Sequence, residues 1–347
     1  MGFFSKLYIF KKKKATKDIL YVIAVISNPQ QFKSRISLYK QFASKIQLDH
    51  GVKLITVEHA QIGDEFSVTK SKNSYHVQLR GDSSYKIWLK EALINRGFKQ
   101  LYKIDPNWKY AAWVDADIFF ANKDWALKTI EALKTYSIVQ PWTHSIDMGP
   151  DGTVMTNEWG NDVDRSFCAA YQTGVFENKH IIQPYYSKPK DNEDWRHHCG
   201  YAWAIRRETY EGLGGLIDWL VTGSSDYHMA MGFIGQLKER SKLHKQTRGY
   251  FRRLSEFQDS CAIYVKGNIG AVGNTILHGF HGYKSDRQYI SRHQIILDSN
   301  FDPDIDLIWD KDQIPHLTGN NQTLTEGLVR YLSSRNEDNG FIDCLTP

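Results

Sequence analysis

Asp115 and Asp117 stand one residue apart, directly after the apolar run Tyr110 to Val114. Two carboxylates at that spacing in a turn can face one hard cation, and Mg²⁺ or Mn²⁺ held there can also grip a diphosphate. A bare Asp-x-Asp is more often an acidic surface turn. Here Ile118-Phe119-Phe120 follows it, so the pair is apolar on both sides, a setting where unneeded charge is unfavourable. Phosphatases that form an aspartyl-phosphate also carry Asp-x-Asp, but as Asp-x-Asp-x-Thr/Val on the first strand. In this chain the fifth residue is Phe119 and two strands come earlier, which argues against that chemistry.

A second cluster, His278-Gly-Phe-His281-Gly-Tyr-Lys284-Ser-Asp-Arg287, follows another apolar run. Imidazole suits Mn²⁺ better than Mg²⁺. Gly279 and Gly282 let backbone approach a ligand closely, and Lys284 and Arg287 can neutralise phosphate oxygens on a leaving group. Alone this is a basic loop with structural histidines. Beside Asp115 and Asp117 it completes a set of groups for a metal and a diphosphate.

A third segment, Gly223-Ser-Ser-Asp226-Tyr-His228-Met229, opens a helix. Ser225 or Asp226 there is either an N-cap or, for Asp226, a general base that deprotonates an acceptor hydroxyl. Upstream, the turn around Gly214-Gly215 with Asp218 could line an acceptor pocket. Trp195, His197, His198, Trp203 and Trp219 could stack on a sugar or a base there, or belong to the core. A fourth group lies nearer the start. Asn28 and Arg35 follow the first strand and Glu58 closes the second, positions suited to holding a base and ribose. Lys90, Glu91 and Asn95 could back the same site, with a salt-bridged helix face as the plain alternative for Lys90 and Glu91.

The elements that must position these groups read as strands alternating with helices. Residues 19 to 26, ILYVIAVI, form a continuous apolar run, as in a strand buried on both faces. Phe32, Ile36, Tyr39 and Phe42 have helical spacing. Strands are expected at 52–57, 110–114, 137–140, 201–205 and 269–277. Helices are expected at 85–97 (closed by Gly97), 123–135, 225–240, 286–298 and 325–335. The order predicts βαβ units and an open α/β sheet. Residues 143–199 are rich in Asp, Asn, Gly, Pro and His, and read as long functional loops with short elements. The expected division is a basic tail at 1–18, one domain at 19–298 and a helical extension at 299–347.

The 347 residues are 41% hydrophobic, 24% charged and 13% aromatic, which excludes collagen-like, low-complexity and wholly disordered chains. Net charge is +5, and without Lys11 to Lys14 it falls to about +1. The basicity therefore sits partly in a tail suited to nucleic acid or membrane headgroups, or simply solvated. Four scattered cysteines without a CxxC pair point to a reducing compartment and against a disulfide framework or a zinc knuckle. The first ten residues are apolar, but their charge comes after the apolar run rather than before it, and ten residues are too few to span a bilayer, which takes about 20. Lys6 stands where a myristoylation motif needs Ser or Thr. The expectation is a cytoplasmic protein without a transmembrane segment, with a short interfacial anchor at its start as the alternative.

The order of parts resembles a GT-A fold glycosyltransferase over residues 19 to 298: a strand with Asn28, a strand with Glu58, the helix WLKEALIN, the strand WVDADIFF, the strand YAWAIRR, then SSDYHM and HGFHGYKSDR. That resemblance implies a Rossmann-like open mixed sheet flanked by helices. It implies Asp115, Asp117 and His278 or His281 as ligands of Mn²⁺ or Mg²⁺ on a nucleotide-sugar donor, with a UDP-sugar expected. It also implies Asp226 as the base of an inverting hexosyl- or pentosyltransferase. More narrowly, VISNPQQFKSRISLYKQF, VEHAQIGDEF, HVQLR, GGLIDW and HGFHGYKSDRQYISRHQIIL are similar to the phage and bacterial glycosyltransferases associated with TET/JBP enzymes. This implies DNA containing 5-hydroxymethylpyrimidines as acceptor, in bacterial cytoplasm if the gene is a phage's. A surface glycan or lipid-linked acceptor, and a binding protein for nucleic acid or carbohydrate without catalysis, are the competing readings.

Overall fold

The computed structural model describes residues 18–83, 86–156, 162–174, 176, 197–238, 246–288 and 291–342, with the backbone alone at 284 and 285. The basic run Lys11 to Lys14 and Trp195 lie outside them. In chain order the elements are β1 (Leu20–Ser27), α1 (Lys33–Ile46), β2 (Val52–Ala60), β3 (His76–Arg80), α2 (Lys90–Ile104), β4 (Tyr110–Val114), β5 (Ile118–Phe120), α3 (Trp125–Leu133), β6 (Ile138–Gln140), β7 (His144–Asp147), β8 (Asp164–Arg165), α4 (Phe167–Tyr171), β9 (Ala202–Arg206), α5 (Arg207–Leu213), α6 (Ser225–Phe233), α7 (Arg248–Tyr264), β10 (Ile269–Ala271), β11 (Thr275–His278), a 3₁₀ turn (Lys284–Arg287), α8 (Arg292–Asp298), α9 (Pro303–Asp306), β12 (Leu307–Trp309), β13 (Pro315–Leu317) and α10 (Gln322–Ser333).

Seven strands form an open mixed sheet in the order β10-β6-β9-β4-β1-β2-β3. β1 lies parallel to β2 and β4, while β9 runs antiparallel between β4 and β6. The continuous apolar run of β1 has its reason here. Leu20, Val22 and Ala24 pack on one face with Phe42 and Ile46 of α1 and Trp125 and Ile130 of α3. Tyr21 and Ile23 pack on the other face with Leu93, Phe98 and Leu101 of α2. Successive side chains of a strand point to opposite faces, so a strand covered on both sides needs apolar residues throughout. The α/β sheet flanked by helices is the architecture expected from the alternation of elements.

Gly97 does not close a helix. α2 begins later than expected, at Lys90, and runs through Gly97 to Ile104. The glycine lies where the helix presses on the sheet: a Cβ there would meet Ile23 Cγ2 at 2.4 Å and Val57 Cγ2 at 3.3 Å. Alanine is favoured over glycine by about 1 kcal/mol in a helix interior, but overpacking a rigid core costs about 1–3 kcal/mol. The clash falls on β1, which is buried on both sides, so Gly97→Ala is expected to lower the melting temperature. An unchanged or higher melting temperature would show that α2 can lift away from β1.

Other expectations shift in similar ways. The expected strand 269–277 breaks at Gly273-Asn274 into β10 in the large sheet and β11 in a second one, β5-β11-β7-β8. The helix expected over 225–240 ends at Phe233 as α6, before a turn. The one expected over 286–298 is the 3₁₀ turn followed by α8. β3, α7 and the β12–β13 pair were not expected as elements.

The strand order reverses at β1, whose neighbours are β2 on one side and β4 on the other. In open α/β sheets the crevice beyond the carboxyl ends at such a point is the usual ligand position. Asp115 and Asp117 follow β4 at that edge. β5, next in the chain, pairs with β11 and sets Ile118 opposite His278. β11 lies parallel to β7 with His278 opposite Asp147. Both histidine and aspartate thus end their strands beside the Asp115–Asp117 turn.

Candidate metal and donor site

Asp117, His278 and His281 converge, with one ligating atom from each within 4.8 Å of the others. Asp117 Oδ2 lies 3.1 Å from His281 Nε2 and 3.8 Å from His278 Nε2, and the two Nε2 atoms are 3.2 Å apart. The opposite ring nitrogens decide what these atoms can do. His278 Nδ1 is 2.7 Å from Asp147 Oδ1, and His281 Nδ1 is 3.1 Å from Glu337 Oε2. An ionised carboxylate only accepts, so each Nδ1 carries the hydrogen, and a neutral ring then turns an Nε2 lone pair to the cluster. This tautomer is assigned from the partners. When both rings are neutral, two imidazole lone pairs and one carboxylate oxygen can therefore converge on a single cation. Asp117 Oδ1 is also buried with no hydrogen-bond partner. Two imidazoles and a carboxylate, each imidazole backed by a carboxylate, form a donor set that fits a divalent cation such as Mn²⁺. Burial alone would push the Asp117 carboxyl up, but His278, His281 and Arg287 outweigh it and hold Asp117 well below the usual carboxylate range.

Asp115 goes elsewhere. Its Oδ1 lies 2.5 Å from Lys90 Nζ, and its N–H donates to the Tyr201 carbonyl at 2.8 Å. Among the described residues the convergent triad contains Asp117 and both histidines but not Asp115. Burial, with the Asp117 charge beside it, keeps Asp115 raised against the lowering pull of Lys90. Burial should depress Lys90, yet Asp115, Glu91 and Asp226 together hold it above its ordinary range. One ammonium therefore joins the Asp115 turn to the start of α6.

Asp226 occupies the first turn of α6, and the N-cap is Ser224, whose side chain makes no capping bond. The capping alternative for Ser225 and Asp226 is therefore not what the structure uses. Asp226 Oδ1 accepts from the N–H of Tyr227 at 2.8 Å. A Cβ on Gly200 would sit 2.8 Å from Asp226 Oδ2 and 2.9 Å from His198 Cε1, so the glycine allows the carboxylate and the imidazole to flank one stretch of backbone. His198 stacks flat on Tyr201, with centroids 3.9 Å apart, and the Tyr201 hydroxyl donates to Asp147 at 3.2 Å. Tyr201, at φ +72°, thereby bridges the metal side and the Asp226 side of the crevice.

Several expected donor residues bond to other parts of the fold. Asn28 bonds the Phe32 backbone with both amide atoms, at 2.9 and 3.0 Å. Glu58 is buried and accepts from the N–H groups of Ser67, Val68 and Thr69, anchoring the loop after β2. Arg35 bonds the Ser27 carbonyl at 2.8 Å and grips Glu337 with two contacts of 2.6 Å. Arg287 is buried behind His281 and reaches its carbonyl at 3.5 Å. Lys284 lies in the 3₁₀ turn, and its side chain lies outside the described residues. Gly279 and Gly282 do admit close approach, but of the protein itself: a Cβ on Gly279 would meet Leu38 at 2.5 Å, and one on Gly282 would meet the Asn336 carbonyl at 2.5 Å. The expected acceptor residues Gly215 and Asp218 surround Asn95, which bonds Leu216, Tyr210 and the Asp218 carboxylate. Burial pushes Asp218 up.

Sequence reasoning missed Asp147 and Glu337, the carboxylates that orient the two histidines. It assigned Glu91 a surface alternative, yet Glu91 is 5% exposed. Burial raises its carboxyl to about 7, with Lys90 pulling it down and Asp226 pushing it up. An acid whose folded-state pKa exceeds its unfolded 4.5 binds its proton more tightly when folded. Its contribution therefore weakens stability as pH rises from about 4.5 to about 7, and the loss persists above that. Glu91→Gln removes the loss, so it is expected to stabilise the protein at pH 8, by at most on the order of 3 kcal/mol, and hardly at all at pH 4. Urea unfolding at the two pH values checks this, and a pH-independent difference would contradict it.

No family model matches the sequence, and no curated protein matches it. Among solved structures it is similar to a mannosyltransferase from Pyrobaculum calidifontis in complex with GDP-Man and Mn²⁺, at TM-score 0.39 and 13% identity, covering 80% of this chain and 61% of that one. It is similar to the catalytic domain of Drosophila beta1,4-galactosyltransferase 7 in complex with xylobiose, at TM-score 0.36 and 12% identity over 86% and 91%. It is also similar to the 4-diphosphocytidyl-2C-methyl-D-erythritol synthase of Anaerococcus prevotii, at TM-score 0.33 and 14% identity over 74% and 88%. All three scores lie below 0.5, so the chemistry has to be derived from the side chains of the site.

Proposed function

We propose that this chain is a metal-dependent glycosyltransferase of the GT-A type that moves a sugar from a nucleotide-diphosphate donor, a UDP-sugar by expectation, to an acceptor hydroxyl. The observation that carries the proposal is the convergence of Asp117 with two carboxylate-oriented histidines at the strand-order reversal, with Asp226 joined to the same turn through Lys90. Asp117, His278 and His281 would hold Mn²⁺ or Mg²⁺, which supplies charge neutralisation to the departing nucleoside diphosphate. Asp147 and Glu337 keep the two imidazoles in the ligating tautomer. Arg287 adds fixed positive charge behind the cluster. Lys90 holds Asp115 at the mouth of the crevice, where its paired carboxylate can accept from a ribose hydroxyl. Asp226 takes the acceptor's proton at Oδ2 as the acceptor oxygen attacks, and attack from that side inverts the sugar carbon.

The proposed acceptor is a 5-hydroxymethylpyrimidine in DNA, supported by the sequence resemblance and by the basic run near the start of the chain. A cytoplasmic site of action follows from that acceptor. No helix among the described residues is long and apolar enough to cross a membrane. A panel of nucleotide sugars with Mn²⁺, scored by release of nucleoside diphosphate with and without hydroxymethylated DNA, tests the reading. Release that requires both metal and modified DNA is the expected result. Release that needs metal but ignores DNA would move the acceptor to a glycan or a lipid-linked sugar. Silence across the panel, with no metal-dependent nucleotide binding, would overturn the enzyme and favour a binding protein.

A further inference from the structure

Residues 335 to 339, Arg-Asn-Glu-Asp-Asn, come from the far end of the chain and lie across the loop that carries His281. Glu337 is 1% exposed. Its Oε1 accepts from Arg35 Nη2 at 2.6 Å and from Arg335 Nε and Nη2 at 3.0 and 2.7 Å. Its Oε2 accepts from Arg35 Nε at 2.6 Å and from His281 Nδ1 at 3.1 Å. Five N–H donors thus surround a single carboxylate, and charge-assisted bonds of this kind are about twice as strong as neutral ones. Arg35 and Arg335 overcome the upward push of burial and hold Glu337 well below the usual carboxylate range.

The residues around Glu337 seat it on three other parts of the fold. Asp338 accepts from the N–H groups of Lys33 and Ser34 at 2.9 and 2.8 Å, supplying the cap that α1 lacks from its own Phe32. Asn339 donates to Asp286 at 2.9 Å. The Asn336 carbonyl and Glu337 Cα press on Gly282, where no Cβ could fit. Arg335 lies over the Trp88 ring, its guanidinium carbon 4.9 Å from the centroid, just before α2. The segment therefore ties together the start of α1, the His281 loop and the approach to Lys90.

We infer that residues 335–339 are a strap that completes the cation site, with Glu337 the positioning residue that fixes His281 as a ligand. This rests on the reading of Asp117, His278 and His281 as a metal site, and it makes the 299–347 extension part of that site. Glu337 itself contacts no cation. It acts through His281, holding the Nδ1 hydrogen so that Nε2 faces the cation position beside Asp117 Oδ2. A carboxylate in this position also makes the imidazole a better donor, and loss of such partners lowers metal affinity by about 10–100-fold. Because coupling is reciprocal, a cation that needs the seated strap must also hold it seated.

The test uses the full chain and reads Mn²⁺ affinity directly, by electron paramagnetic resonance of free Mn²⁺, beside circular dichroism of the metal-free protein. Glu337→Gln and Glu337→Asp are both expected to weaken Mn²⁺ binding by about 10–100-fold while the chain remains folded. Gln removes the charge, whereas Asp keeps the charge but shortens its reach to His281. Hydrogen exchange of the wild-type chain needs no variant: saturating Mn²⁺ should slow exchange at residues 336–339 together with 280–283. Wild-type affinity in both Glu337 variants, or exchange in the strap indifferent to Mn²⁺, would overturn the strap while Asp117→Ala still abolished binding. If Asp117→Ala also bound Mn²⁺ normally, the metal-site reading itself would fail, and the inference with it.

Discussion

Asp117→Ala is expected to abolish Mn²⁺ binding at the site and to lower donor turnover by about 10³-fold or more. The magnitude follows from what the residue does. A divalent cation at a leaving diphosphate is worth several kcal/mol of transition-state stabilisation, and about 4 kcal/mol corresponds to roughly 10³ in rate. Without Asp117 the two histidines keep their Nδ1 partners, but their Nε2 atoms, 3.2 Å apart, lose the carboxylate that faces both. The same variant separates function from folding. Metal that binds only the folded state stabilises it by about 2.7 kcal/mol at a hundredfold excess over its dissociation constant. The wild-type melting temperature should therefore climb with added Mn²⁺, while that of Asp117→Ala should not move. Without metal the variant is expected to be less stable than wild type, because Asp117 Oδ2 also faces both histidines, so the Mn²⁺-dependent shift, not the starting melting temperature, is the readout. A variant that still gained stability from Mn²⁺ would place the cation elsewhere.

Asp226→Asn is expected to lower transfer by about 10²–10⁴-fold, the usual contribution of a positioned general base. Mn²⁺ and donor affinity should stay within about threefold of wild type, because Asp226 lies outside the convergent triad. Helix stability offers no competing account of so large an effect. Ser224 holds the N-cap position, and a first-turn carboxylate interacting with the helix dipole is worth only about 0.3–1 kcal/mol. Single-turnover transfer and donor titration together give the split. Unimpaired transfer by Asp226→Asn would remove the base, and with it the basis for inversion at the sugar carbon.

The fold was legible where local pattern and burial agree. The run of β1 is apolar throughout because both of its faces are covered, and the end of β4 could be read because a charged turn follows an apolar strand. α7 was equally readable in hindsight: Tyr250, Leu254, Phe257 and Cys261 are buried at helical spacing, but the arginines and glutamate among them obscured the stripe. Gly97 misled for a physical reason. A glycine late in an apolar helical pattern marks either an end or a close approach, and only the position of β1 decides between them. The break between β10 and β11 was hidden likewise, since one apolar run serves two sheets.

Asp117, His278 and His281 could be marked as candidates by residue type and spacing, and the structure brings the three together. The division of labour between Asp115 and Asp117 was not, because it depends on the reach of Lys90 from another element. Asp147 sat within a stretch read as long functional loops, and only the pairing of β7 with β11 sets it opposite His278. Glu337 is 56 residues beyond the histidine it orients, in a polar tail segment with no periodicity to mark it. Asn28 and Glu58 show the converse: the backbone partners of these strand-end polar residues could not be read from their types alone.

The most direct test is anomalous diffraction at the manganese edge from crystals soaked with MnCl₂ and UDP. The account requires one strong peak bonded to the Asp117 carboxylate and to Nε2 of both His278 and His281, with the diphosphate on its open side. A manganese peak that leaves both histidines unligated, or UDP bound in the crevice with no manganese beside Asp117, would contradict it.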